Sequence, residues 1–126
     1  MSYNFNPKID RDFIISMYED DYGYISEIFS TTLNQLEPDL LVLKQKFTEK
    51  DLEATRKLVH KIKPAFGFVG LRETETLCQQ FEDSCHSATS VEDVSASFYT
   101  LVTAIGESCD IIRTEIEKLT AFKQGI

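Results

Sequence analysis

Apolar residues recur at intervals of three and four along most of the chain, the period of helices that bury one side. The clearest run is Ile25, Phe29, Thr32 or Leu33, Leu36, Leu40, Leu43 and Phe47, which predicts a long helix over about 22–48. Pro38 falls inside it. A proline removes one backbone hydrogen bond, yet the stripe stays in phase across it, so the spacing predicts one kinked helix. Two helices broken at Glu37 are the alternative.

The polar connection 48–51 follows, with Asp51 as the expected N-cap of a helix over about 52–69. Gly70 is its expected terminator. Leu77, Cys78, Phe81 and Cys85 form the inward face of a helix over about 71–85, and 86–90 reads as a loop in which Ser90 and Asp93 resemble a capping box. Val94, Phe98, Leu101, Ile105, Cys109, Ile112, Ile116 and Leu119 carry a last long helix. At the other end, 1–8 reads as a loose lead-in, and Ile9, Phe13 and Met17 mark one face of a helix of two or three turns. No strand alternation, internal repeat or low-complexity tract interrupts this pattern. The expected fold is all-α: an antiparallel four-helix bundle with a short additional N-terminal helix, in a single domain spanning 1–126.

Composition narrows the function. The chain has 126 residues and a formal net charge of −8, which argues against nucleic acid as a partner. The charge is uneven. Lys44 to Arg72 holds eight Lys or Arg against three Asp or Glu, a local +5 that leaves −13 for the rest. One basic segment on an acidic protein points to a negatively charged group or partner at that place. The three cysteines, Cys78, Cys85 and Cys109, have neither disulfide-framework nor zinc-site spacing and read as buried thiols of a cytoplasmic protein. No segment reads as a signal peptide or membrane span, and no Gly-rich phosphate loop is visible.

His60 stands out within the basic segment. On a wheel at about 100° per residue with His60 at zero, Leu58, Val59, Ile62, Phe66 and Val69 fall between about 160° and 260°. That arc is the core side, so His60 faces water. Arg56 and Lys57 lie one turn before it and Lys63 one turn after, with Lys61 adjacent. Pro64 and Gly67 follow on the same side, and neither carries a long side chain. The pattern reads as a cleared, electropositive landing area around one nucleophile. An imidazole titrates near neutrality, so its ring nitrogen can attack phosphorus. Lys63, assisted by Lys57 or Arg56, would pair with the phosphoryl oxygens of the product. A solvated basic helix face with an incidental histidine is the competing reading. His86 sits in a polar loop and reads as incidental. The pairs Glu37 with Asp39 and Glu73 with Glu75 read as solvated surface, and a metal-binding bundle lacks inward ligands.

The segment VHKIKPAFGFVGL (59–71) resembles the signature of the histidine phosphotransfer (HPt) domain family: His60, Lys63 three residues on, small residues after it, and Gly70 ten after the histidine. The stretch 29–45, with its mid-helix proline, is similar to the family's first long bundle helix, and LCQQFED (77–83) to its later leucine-cysteine-to-glutamate helix. The resemblance covers about 9–119. Pro64 departs from it, because the family often has glycine there; a proline forfeits the backbone bond to the His60 carbonyl.

The resemblance implies a phosphorelay protein that accepts a phosphoryl group on the outer ring nitrogen of His60 from a receiver-domain aspartyl phosphate and passes it to another receiver. Lys63 would be the second catalytic residue, with Arg56, Lys57, Lys61, Pro64 and Gly67 docking the phosphate or partner. The partners implied are response-regulator receiver domains, including that of a hybrid histidine kinase. The metal would belong to the receiver, leaving this chain without cofactor or metal, and a monomer is expected. A non-catalytic helical adaptor that docks receivers, or the HPt region of a larger hybrid histidine kinase, are the alternatives.

Overall fold

The computed structural model describes residues 3–123. Five α-helices follow in order: α1 (Arg11–Tyr18), α2 (Tyr22–Thr48), α3 (Leu52–Phe68), α4 (Arg72–Ser87) and α5 (Ser95–Lys123), with a single 3-10 turn (Val91–Val94) leading into α5. There is no strand among the described residues. Helices α2 to α5 form an antiparallel four-helix bundle in which α2 packs on α3 and α5, and α4 packs on α3 and α5. Short connections force each helix to reverse against its predecessor. Phe29, Leu36, Phe66, Phe81, Ile105 and Ile112 are fully buried at its centre. Removing such side chains from water contributes roughly 1.5–3 kcal/mol each.

Helix α2 runs unbroken through Pro38, which decides between the two expected forms. Helix α3 likewise continues through Pro64. Asp51 caps α3 as expected, its carboxylate accepting from the Ala54 N–H. At the other end Gly70 adopts φ +73°, the Gly70 N–H donates to the Gly67 carbonyl, and the Leu71 N–H donates to the Phe66 carbonyl. These two bonds make a Schellman closure, which fixes how α4 sets off from α3.

Four expectations need correction. The lead-in is not loose over its described part: Tyr3 is buried, packs on Phe5, Tyr22 and Phe122, and donates through its hydroxyl to Glu115. Met17 is exposed, and Ile14 takes the buried position of α1. A helix this short is placed by what it docks on: Ile9 is buried just before it, and the Asp10 N–H donates to the Gly70 carbonyl. Ser90 makes no side-chain cap. Asp93 instead accepts from the backbone and hydroxyl of Thr89, closing the turn one residue earlier. Finally, α4 extends to Ser87, so His86 lies in its last turn rather than in a loop.

Candidate functional site

Helix α3 buries Val59, Ile62, Phe66 and Val69 and turns His60 outward. The imidazole is two-thirds exposed (67%). It is not free, however. Nδ1 of His60 lies 2.7 Å from Oε1 of Glu82 on α4, and the Glu82 side chain is only 6% exposed. An ionised carboxylate only accepts, so Nδ1 carries the proton and donates it. In the neutral ring this leaves Nε2 unprotonated on the open side, with its lone pair directed to solvent.

The other carboxylate oxygen, Oε2 of Glu82, is buried and has the Lys63 ammonium 3.0 Å away as an ion-pair partner without a directed hydrogen bond. Lys63 is itself mostly covered and donates to Oε1 of Gln79 at 2.6 Å. Burial pushes the Glu82 carboxyl upward, but Lys63 and the His60 hydrogen bond outweigh it and hold the group below the usual carboxylate range. Glu82 is therefore the charged hub on which imidazole and ammonium converge. The sequence reading of the basic segment missed it.

The remaining candidate residues are spread around this hub. Arg56 pairs with Glu53 on its own helix, and Lys57 lies 3.9 Å from the same acid. Lys61 turns to Asp39 on α2 at 3.5 Å. Of the expected cations, Lys63 is the one brought into the hydrogen-bonded cluster of His60. The landing area is thus less electropositive than the sequence suggests, because its cations find acids within 4 Å. Pro64 is exposed one turn beyond His60. Having no N–H, it leaves the His60 carbonyl without its i+4 donor. Gly67 corrects the picture of open ground: it is buried, and the Glu75 carboxylate lies over the place a Cβ would occupy. Glu75 is accordingly not free surface, being also held by Arg72 at 3.3 Å.

Competing nucleophiles are muted. Burial pushes the Cys78 thiol up to about 12 and the Cys85 thiol up to about 11, so neither is a thiolate at neutral pH. His86 is exposed, and among the described residues it has no hydrogen bond or ion pair comparable to that of His60 with Glu82.

The site is thus an exposed histidine on one helix of a four-helix bundle, held from the neighbouring helix by a buried acid. The sequence profile of the Hpt domain matches residues 27–121, and the chain belongs to that family, the histidine phosphotransfer domains of phosphorelays. Among solved structures, the HPT domain of an Hpt sensor hybrid histidine kinase from Shewanella is similar, with a TM-score of 0.76, 17% identity, and coverage of 88% of this chain and 95% of that one. A histidine-containing phosphotransfer protein from rice, described as putative, is similar with a TM-score of 0.74, 15% identity, and coverage of 93% of this chain and 85% of that one. A search of curated protein sequences gives no match. No helix among the described residues is long and apolar enough to cross a membrane.

Proposed function

We propose that His60 is the phosphoryl carrier, taking the group from the aspartyl phosphate of one receiver domain and passing it to the aspartate of another. The observation that carries this reading is the 2.7 Å contact of Nδ1 with buried Glu82, which leaves Nε2 as the exposed nucleophile. In the step, the Nε2 lone pair forms the bond to phosphorus while the bond from phosphorus to the aspartyl oxygen breaks, and the receiver's carboxylate leaves with the electron pair. The ring keeps its Nδ1 proton and becomes cationic. Glu82, already ionised and in place, stabilises that charge much as the buried acid of a Ser-His-Asp triad stabilises its imidazolium. Lys63 supplies positive charge for the phosphoryl oxygens. The return transfer reverses each step.

Docking needs a surface beside His60. Tyr18, Tyr24, Ile28 and Phe68 line an apolar groove where α1, α2 and the end of α3 meet, and Tyr24 and Phe68 are more than half exposed. The Tyr18 hydroxyl donates to the Phe68 carbonyl, so the wall of the groove is tied to the helix that carries His60. We take this groove, with Pro64, as the receiver's landing surface, and Arg56, Lys57 and Lys61 as its charged rim. The segment 3–26, outside the matched span, packs on the same core through Tyr3, Ile9, Ile14 and Ile25, which supports reading 1–126 as one phosphotransfer domain. Three free, buried thiols suit a reducing compartment, hence the cytoplasm.

Mixing the protein with radiolabelled, phosphorylated receiver domains tests the proposal. Acid-labile, base-stable label on the wild type, absent from His60→Gln, is expected. Absence of label from the wild type with every receiver tried, or label retained in the variant, would overturn it.

A further inference from the structure

The Lys63 ammonium does not find its place unaided. Gln79 presents Oε1 to it at 2.6 Å, and Gln79 Nε2 donates to Oδ1 of Asp83 at 2.9 Å, one turn further along α4. The amide can be held in only one sense. Turned over, its NH2 would face an ammonium and its carbonyl a carboxylate, two repulsive contacts in place of two attractive ones. Asp83 thus fixes the amide, the amide fixes Lys63, and Lys63 lies against the same Glu82 carboxylate that orients His60. An ammonium has three protons. Gln79 takes one, and Glu82 holds the ammonium as an ion pair without a directed hydrogen bond, so donor capacity is left for a group on the open side of the cluster.

We propose that Gln79 and Asp83 form a positioning pair, in which Asp83 orients the Gln79 amide so that Lys63 is held ready for the phosphoryl group on His60. The proposal deepens the phosphotransfer reading and rests on it for the use of Lys63, though not for its placement. Neither Gln79 nor Asp83 touches the reacting atoms. Their influence passes entirely through Lys63, and this gives the pair a signature that a general loss of stability lacks.

Placement is tested first, in the unphosphorylated protein, by the 1H–15N NMR signal of the Lys63 ammonium. A slowly exchanging signal is expected in the wild type, lost in Gln79→Leu and broadened in Asp83→Ala. An unchanged signal in both variants would overturn the pair whatever the protein's function. Use is tested by the rate at which a phosphorylated receiver labels His60 and by the lifetime of the phosphohistidine. Because Gln79 is exposed and acts only through Lys63, part of the tenfold or greater effect of a charge-assisted hydrogen bond should reach the transfer step, slowing labelling about three- to tenfold in Gln79→Leu, and less in Asp83→Ala. Asp83→Ala should add nothing in a Gln79→Leu background, and neither change should matter in Lys63→Ala. Effects that persist in Lys63→Ala would overturn the proposal. Failure of the wild type to be labelled at all would instead count against the phosphotransfer reading, with the NMR result still deciding the placement of Lys63.

Discussion

His60 and Glu82 are 22 residues apart in sequence and 2.7 Å apart in space, an exposed base joined to a buried acid across the α3–α4 interface. The contact selects one tautomer of a ring that otherwise exchanges between two. Glu82→Ala removes the acceptor, and the ring is then free to carry its proton on Nε2, where it blocks attack. Nitrogen-15 chemical shifts of His60 should show Nδ1–H in the wild type and a shift toward Nε2–H in the variant. Labelling by a phosphorylated receiver should fall about ten- to a hundredfold, the loss expected for a hydrogen bond to a charged group. An unchanged tautomer ratio would show that the contact does not govern the ring.

The two histidines offer an internal control. Both are on the surface, but among the described residues only His60 faces a buried carboxylate. His60→Gln should abolish labelling and leave thermal unfolding within a few degrees of wild type, since the introduced amide N–H can still donate to the buried Glu82 carboxylate. His86→Gln should leave both unchanged. Loss of label on changing His86 would place the chemistry at the end of α4.

Acid sensitivity has a definite sign. The folded-state pKa of Glu82 is lowered against its ordinary value, through Lys63 and His60 overcoming its burial. A depressed carboxylate contributes stability that is present above its unfolded pKa and disappears as pH falls through the folded one. Urea unfolding should therefore favour wild type over Glu82→Gln at neutral pH. The difference should shrink as pH falls below about 4.3, the ordinary glutamate value. A difference independent of pH would mean that the carboxylate's charge contributes nothing to the fold.

The bundle was legible because its determinants are local. Periodicity located α2 and α3, Asp51 announced its own cap, and Gly70 its own turn. Glu82 was legible only in part. Cys78, Phe81, Glu82 and Cys85 are spaced i, i+3, i+4 and i+7 and all four are buried, so an acid occupies a core position and requires a partner. The sequence states that need without saying who meets it, because the register of α4 against α3 comes from the Schellman closure and the packing beyond it. The cations misled for a related reason. Eight Lys or Arg within 44–72 look unopposed in sequence, but Asp39 and Glu82 come from other helices to meet Lys61 and Lys63. The N-terminal segment was the least legible, since Tyr3 is held by Glu115, which lies 112 residues away.

Two glycines near the site should respond in opposite ways. At Gly67 an added Cβ would meet Oε2 of Glu75 at 2.7 Å, the far end of a flexible, one-third exposed side chain. Glu75 can swing outward, giving up a contact with Arg72 of the surface kind that is worth at most about 1 kcal/mol. Replacing a helical glycine returns about 1 kcal/mol. Gly67→Ala should thus change stability little, and Gly67→Gln should still fold while displacing Glu75 and filling ground two turns beyond His60. At Gly70 the backbone stands at φ +73°, and an added Cβ would meet the backbone nitrogen of Asp10 at 3.1 Å. Neither can yield cheaply. Gly70→Ala should cost about 1–2 kcal/mol for the left-handed conformation alone and loosen the closure that sets α4 against α3. Thermal unfolding and receiver-transfer rates, measured together, separate the two sites. Gly67→Gln should transfer slowly at near-normal stability, whereas Gly70→Ala should be destabilised, with its transfer defect following the fraction unfolded. Normal transfer by Gly67→Gln would mean that the receiver does not cover this part of α3.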